Sequence, residues 1–214
     1  LGQSDLHVTP ICLGTMTFGE QVNEPNAHAI LDRSLERGVN FIDTADVYTK
    51  GASETMLGEL LNTQRHDWVL ATKLGNKMTE RVNEGHYSRT WMLREIEASL
   101  TRLQTDYVDV LYLHLDHNGM NLEEPLRALD AMLRAGKIRS WGVSNFRGWR
   151  IAEAVRVAQQ LGMPAPVVCQ PYYNLLNRQP EVEVLPACAH YGVGVVPYSP
   201  IARGVLTGKY APGQ

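Results

Sequence analysis

The chain has 214 residues, enough for one domain with a sizeable core, and 44% hydrophobic against 20% charged residues excludes a disordered chain. A net charge of -3, from 20 Lys plus Arg against 23 Asp plus Glu, with no long basic run, argues against nucleic acid as a partner. The longest uncharged stretch, 164–177, is broken by prolines, Gln170 and Asn174 and falls short of the roughly 20 apolar residues that span a bilayer, so no membrane segment is expected.

Residues 6–8 are expected to form a small hairpin with Leu1, and the first short apolar run follows at 11–13. A helix over 25–37 then begins with Pro25 in its first turn and stops at Gly38. After a strand at 40–42, a helix over 53–61 opens on Ser53-Glu54 and carries Met56, Leu57, Leu60 and Leu61 on one face. A strand at 68–72 precedes a helix over 88–103, capped by Ser88, with Leu93, Ile96, Leu100 and Leu103 together. Strands at 108–113, 138–143, 167–169 and 193–196 alternate with helices over 124–135, 149–161 and 181–191, closed by Gly136, Gly162 and Gly192.

The strand runs are continuously apolar rather than alternating, as in a parallel sheet covered on both faces. Their starts recur every 26 to 40 residues, close to the unit length of a (β/α)8 TIM barrel of ~250 residues. We therefore expect an α/β chain, a single barrel domain over 1–214 with about seven of eight units and incomplete at its C-terminus. The rival doubly wound sheet would need a Gly-x-Gly-x-x-Gly turn after a strand; Gly192 and Gly194 precede one and lack the third glycine. Seven strands cannot close an eight-stranded barrel, which predicts a chain continuing past Gln214. At the other end, Leu1 is not followed by the charged and apolar regions of a signal peptide, so the sequence reads as a segment of something longer.

In a parallel barrel the site is built at the carboxyl ends of the strands. Here those positions hold Asp43, Thr44, Asp46 and Tyr48, then Lys73, then His114, Asp116 and His117. Ser144 and Asn145 follow, then Gln170, Tyr172, Tyr173 and Asn174, and finally Tyr198, Ser199 and Arg203. Singly, each has a structural explanation: Asp43 as a turn cap, Lys73 as a snorkelling side chain, His114 as a satisfied core histidine, Tyr48 as a loop residue. Together, an acid, a phenol, an ammonium and an imidazole converge on one mouth. A lysine beside Tyr48 would make its phenol more acidic than the free value of ~10, suiting it to general-acid work. Asp43 would hold Lys73 charged and His114 would donate to a substrate carbonyl oxygen.

The segments Leu13-Gly14-Thr15-Met16, Phe41-Ile42-Asp43-Thr44-Ala45-Asp46-Val47-Tyr48, Ala71-Thr72-Lys73, Leu111-Tyr112-Leu113-His114, Gly142-Val143-Ser144-Asn145-Phe146 and Pro197-Tyr198-Ser199-Pro200 resemble the aldo-keto reductases in the family's order. The resemblance implies a (β/α)8 barrel binding NADP(H) across its mouth and reducing aldehydes or ketones to alcohols. It places a catalytic tetrad on Asp43, Tyr48, Lys73 and His114. It places the carboxamide contacts on Ser144, Asn145 and Gln170, and ring stacking on Tyr198. Pyrophosphate-loop contacts fall on Ser199, Pro200, Ile201, Ala202, Gly204 and Lys209, and first-loop contacts on Thr15, Met16 and Gln21. The family's eighth strand and following helix, which grip the 2′-phosphate, would lie beyond Gln214, leaving NADP-versus-NAD preference open. Potassium-channel β subunits of the same family replace the tetrad histidine and alter the Ser-Asn pair. Intact His114, Ser144 and Asn145 therefore favour an enzyme over a regulatory subunit or an inert barrel fragment.

Three further readings complete the set. His114 and His117 lie at a strand end with no third ligand nearby, so no metal is expected. Cys12, Cys169 and Cys188, odd in number and in apolar surroundings, read as buried thiols of a reducing, cytoplasmic compartment. The substrate pocket is expected to be walled by Phe18, Tyr48, His117 and residues 75–86, the last equally readable as plain solvated surface.

Overall fold

A computed structural model of the chain describes residues 1–78, 85–117 and 119–210. Seven strands are described: β1 (Cys12–Gly14), β2 (Phe41–Asp43), β3 (Val69–Leu74), β4 (Val108–Leu113), β5 (Ile138–Ser144), β6 (Val168–Gln170) and β7 (Gly194–Val195). They pair in sequence order and all in parallel, which makes one curled sheet carrying about seven units of a (β/α)8 barrel. Among the described residues β1 pairs only with β2 and β7 only with β6.

Six α-helices connect them: α1 (Glu24–Glu36), α2 (Ala52–Leu61), α3 (Arg89–Leu103), α4 (Glu123–Arg134), α5 (Gly148–Gln160) and α6 (Val184–Tyr191). Asn23 caps α1 by accepting from the Asn26 N–H, and Ser88 caps α3 by accepting from the Trp91 N–H. The last helix starts three residues later than its apolar pattern suggests. A helix from Glu181 would place Pro186 in its interior, where the ring clashes with the preceding turn; from Val184 that proline falls in the first turn. No described helix is long and apolar enough to cross a membrane.

The large core lies between sheet and helices, with Leu57, Met92, Ile96, Leu111, Leu126, Trp141 and Ile151 fully shielded. A second cluster fills the inside of the curl: Phe41, Ala71, Val110, Tyr112 and Val168. These alternate with residues of the large core, since successive strand side chains point to opposite faces. The expected N-terminal hairpin forms no strand pair among the described residues, although the Leu1 ammonium donates to the Leu6 carbonyl at 2.5 Å. Residues 1–4 instead close a turn by the Ser4 N–H donating to the Leu1 carbonyl at 3.1 Å, and Leu1, Leu6 and Val8 pack against the inner cluster.

β1, β2, β5 and β6 end one residue later than their apolar runs and β3 two, whereas β4 ends as expected and β7 one residue earlier, and the extensions position the site. Asp43, Lys73, Ser144 and Gln170 belong to the strands themselves, each two residues beyond an inward residue: Phe41, Ala71, Gly142 and Val168. A period of two therefore turns all four inward at the carboxyl end. At Gly142 a side chain has no room, because a Cβ would stand 2.5 Å from the Val168 carbonyl oxygen and from Val168 Cγ1.

Candidate active site

Lys73 is fully buried and its ammonium donates three ways: to Asp43 Oδ1, to the Thr44 carbonyl at 2.8 Å and to the Tyr48 hydroxyl at 3.1 Å. Burial alone would pull the lysine toward neutrality, but the Asp43 carboxylate and the Tyr48 hydroxyl outweigh it and its pKa lies above the ordinary lysine value. The other Asp43 oxygen, Oδ2, accepts from Gln170 Nε2 at 3.0 Å, so both carboxylate oxygens are committed. Backbone geometry fixes Asp43 as well, since its carbonyl accepts the Thr15 N–H at 2.9 Å and the Thr15 hydroxyl at 3.0 Å.

Tyr48 lies just beyond β2, with its ring beneath the Lys73 ammonium at 4.7 Å and edge-on to the His114 ring at 5.9 Å. The expectation of an unusually acidic phenol is not met. Burial pushes the pKa up, Lys73 pulls it down and Asp43 pushes it up again, for a net rise above 10. Burial is the largest of these effects, and the carboxylate beside the lysine offsets part of its field.

His114 follows β4 and is half-buried. Asn76 Nδ2 stands 3.0 Å from His114 Nδ1. An amide N–H can only donate, so Nδ1 accepts and the ring proton sits on Nε2. Burial, reinforced by the Lys73 charge, lowers the pKa to about 3, which keeps the imidazole neutral with Nε2–H as a donor.

A second set continues the chain of polar contacts. The Ser144 hydroxyl donates to the Gln170 carbonyl at 2.9 Å, and Asn145 Nδ2 donates to the His114 carbonyl at 3.0 Å and to the Ser144 hydroxyl at 3.1 Å. Asn145 has a left-handed backbone (φ 58°), tolerable for asparagine, that folds its amide back over β4 and β5. The Tyr198 hydroxyl donates to Asn145 Oδ1 at 2.9 Å, and the Tyr172 ring lies 5.4 Å from the Tyr198 ring at 30°.

A cavity of about 970 Å³ joins these groups, lined by Asp43, Tyr48, His114, Ser144, Asn145 and Gln170 at the mouth and extended down the slot between β1 and β7 past Cys12, Phe41 and Val195. Thr15, Met16, Tyr198, Ser199 and Pro200 also line it. Gln21, Ile201, Ala202, Gly204 and Lys209 do not; Ala202 and Gly204 are buried, with the Lys209 side chain against Gly204. Phe18 belongs to the large core, not to the cavity wall. His117 points to the Gly75 carbonyl (3.0 Å) and His86 (3.3 Å), and of the expected 75–86 wall, residues 79–84 lie outside the described residues. Cys169 and Cys188 are buried, whereas Cys12 is half-buried at the slot.

Sequence reasoning missed Asn76, which sets the His114 tautomer and whose side-chain type carries no signal in a loop. It also missed Arg102, on α3, which donates to Glu54 Oε2 at 2.7 Å and Glu95 Oε1 at 2.6 Å behind the site. The Ser53-Glu54 opening of α2 was the available clue.

Fold and site together define a parallel (β/α) barrel scaffold, with its polar side chains gathered at the carboxyl ends of the strands. The aldo/keto reductase family model matches residues 10–214, and the chain belongs to that family of oxidoreductases, whose members generally bind nicotinamide cofactors. Over its full length the chain is 40% identical to a probable voltage-gated potassium channel subunit beta of Oryza sativa subsp. japonica and 38% identical to one of Arabidopsis thaliana. Over 98% of its length it is 36% identical to the uncharacterized oxidoreductase YqkF of Bacillus subtilis (strain 168). It spans 66% of the length of each of these relatives.

Proposed function

We propose that the protein reduces an aldehyde or ketone to an alcohol with a reduced nicotinamide cofactor, NADP(H) being the form its family resemblance implies. The observation that carries this reading is that Tyr48, Asp43 and neutral His114 line one cavity, with the buried Lys73 ammonium bonded to Asp43 and Tyr48 behind them. The residues fit the cofactor: a hydroxyl and two amides, Ser144, Asn145 and Gln170, share one wall and Tyr198 borders it. The volume of about 970 Å³ is ample for the nicotinamide end and a small substrate. In this reading Ser144, Asn145 and Gln170 hold the carboxamide, Tyr198 holds the ring, Thr15, Met16, Ser199 and Pro200 add contacts from the cavity wall, and Gln21, Ile201, Ala202, Gly204 and Lys209 would make theirs beyond the cavity lining.

When bound, the cofactor supplies the hydride. Tyr48 supplies the proton, giving it to the carbonyl oxygen as negative charge develops there. Lys73, already bonded to the Tyr48 hydroxyl, stabilises the phenolate left behind, and Asp43 keeps Lys73 charged and aimed. His114 Nε2–H donates to the same substrate oxygen from a ring that carries no competing charge.

Oxidation of NADPH and NADH by the full-length protein, followed by absorbance against a panel of aldehydes and ketones, tests the proposal. Turnover that disappears in Tyr48→Phe supports it, and no oxidation with any carbonyl rejects it. The names of the two plant relatives motivate a second reading, a cofactor-binding regulatory subunit with little turnover. Tight cofactor binding without oxidation in the same assay would favour that reading.

A further inference from the structure

Tyr48 is followed by three residues in left-handed conformation: Thr49 (φ 48°, ψ 38°), Lys50 (φ 55°, ψ 39°) and Gly51 (φ 91°, ψ -8°). For threonine, β-branched, this region is unfavourable and must be imposed by surrounding structure. Part of that restraint is visible at Thr49, whose hydroxyl donates to the Phe18 carbonyl at 2.9 Å and accepts the Ser53 N–H at 3.1 Å. The other part comes from α3. The Arg102 side chain lies flat against Gly51, where a Cβ would stand 3.0 Å from Arg102 Cδ and 3.2 Å from Nε.

The same guanidinium reaches the opposite flank of the site. Its Nε donates to Glu54 Oε2 at 2.7 Å, and Nη2 donates to Glu95 Oε1 at 2.6 Å and the Ser99 hydroxyl at 3.1 Å. Glu54 has no solvent exposure, and its Oε1 accepts from the Thr72 hydroxyl at 2.5 Å, one residue before Lys73. A single side chain thus braces the turn after Tyr48 and, through Glu54 and Thr72, the strand that carries Lys73.

We propose that Arg102, acting through Glu54, is a positioning residue that sets the Tyr48 hydroxyl against the Lys73 ammonium. Glycine at 51 is the space the clamp requires, and arginine is required because its planar fork bonds two carboxylates while its stem covers the turn. The proposal rests on the reading of Tyr48 as proton donor, so its test has one arm that needs no catalysis.

In the full-length protein, Arg102→Met and Arg102→Lys are expected to lower kcat at least tenfold, with KM for the carbonyl and the cofactor dissociation constant within about twofold of wild type. Arg102→Met leaves Glu54 and Glu95 without their cation, so Arg102→Met with Glu54→Gln and Glu95→Gln serves as the variant with no stranded charge. It is expected to recover the melting midpoint but not kcat. Recovery of kcat together with stability would overturn the proposal, since the arginine would then act on folding alone. Independently of turnover, protein labelled with 3-fluorotyrosine, with the Tyr48 resonance assigned by its loss in Tyr48→Phe, should show that resonance shifted or split in the triple variant. An unchanged resonance overturns the clamp even if wild type reduces no carbonyl, whereas absence of turnover with a shifted resonance rejects only the proton-donor reading.

Discussion

Gln170 Nε2 and Asp43 Oδ2 meet at 3.0 Å in the barrel interior although 127 residues separate them in sequence. The contact joins the residue expected at a cofactor carboxamide to the carboxylate that holds Lys73. Replacing it in Gln170→Leu leaves a buried carboxylate oxygen without a donor, at a cost of about 1–3 kcal/mol. Chemical denaturation should show the midpoint fall accordingly, and an unchanged midpoint would mean that the amide contributes nothing to the folded site.

Tyr48→Phe keeps the ring beneath Lys73 but removes the transferable proton. Loss of a general acid lowers turnover by roughly 100- to 10,000-fold. Steady-state rates with a fluorescence titration of NADPH should show kcat collapse while the dissociation constant stays within about threefold. Weakened binding with intact kcat would assign Tyr48 to binding rather than chemistry.

His114, with its pKa lowered to about 3 and Asn76 donating to Nδ1, should not titrate between pH 5 and 8. Nitrogen-15 NMR of labelled histidines should find one ring in the Nε2–H form throughout that range, missing from His114→Asn. A midpoint near 6.5 for that resonance would contradict the burial argument.

Asp46 is fully shielded, its Oδ1 accepts the Val47 N–H at 2.6 Å, and its Oδ2 has no partner among the described residues. Burial and the neighbouring Glu54 and Glu95 raise its pKa well above the ordinary value. The folded protein therefore holds this proton to higher pH than the unfolded chain, which ionises near pH ~4. Its stabilising contribution is complete below that pH and declines as pH rises toward the folded pKa. Asp46→Asn carries no proton to lose, so its stability relative to wild type should increase as pH rises above ~4 toward the folded pKa in equilibrium denaturation. A difference that does not vary with pH would show that Asp46 is already ionised in the folded state.

Three of the four proposed catalytic positions were legible because they interrupt apolar runs: Asp43 after Phe41-Ile42, Lys73 after Ala71-Thr72 and His114 after Leu113. The ends of β1, β2, β3, β5 and β6 were displaced by one or two residues because inter-strand pairing, such as Ser144 with Gln170, extends strands into polar residues. Phe18 was misplaced for a related reason: its side chain suits either a pocket wall or a core, and packing against distant helices made it core.

Local order was determined by the sequence itself. Alternation of apolar runs with helical patterns, Asn23 and Ser88 as caps, and glycines at helix ends act through neighbours a few residues away. Chemical state was decided only by the tertiary structure. The raised Tyr48 pKa, the neutral His114 with its proton on Nε2, and the bracing of the Tyr48 turn by Arg102 all depend on burial and on partners 25 to 51 residues distant. Desolvation and hydrogen bonding act through space, and no pattern along the chain specifies which side chains will share it.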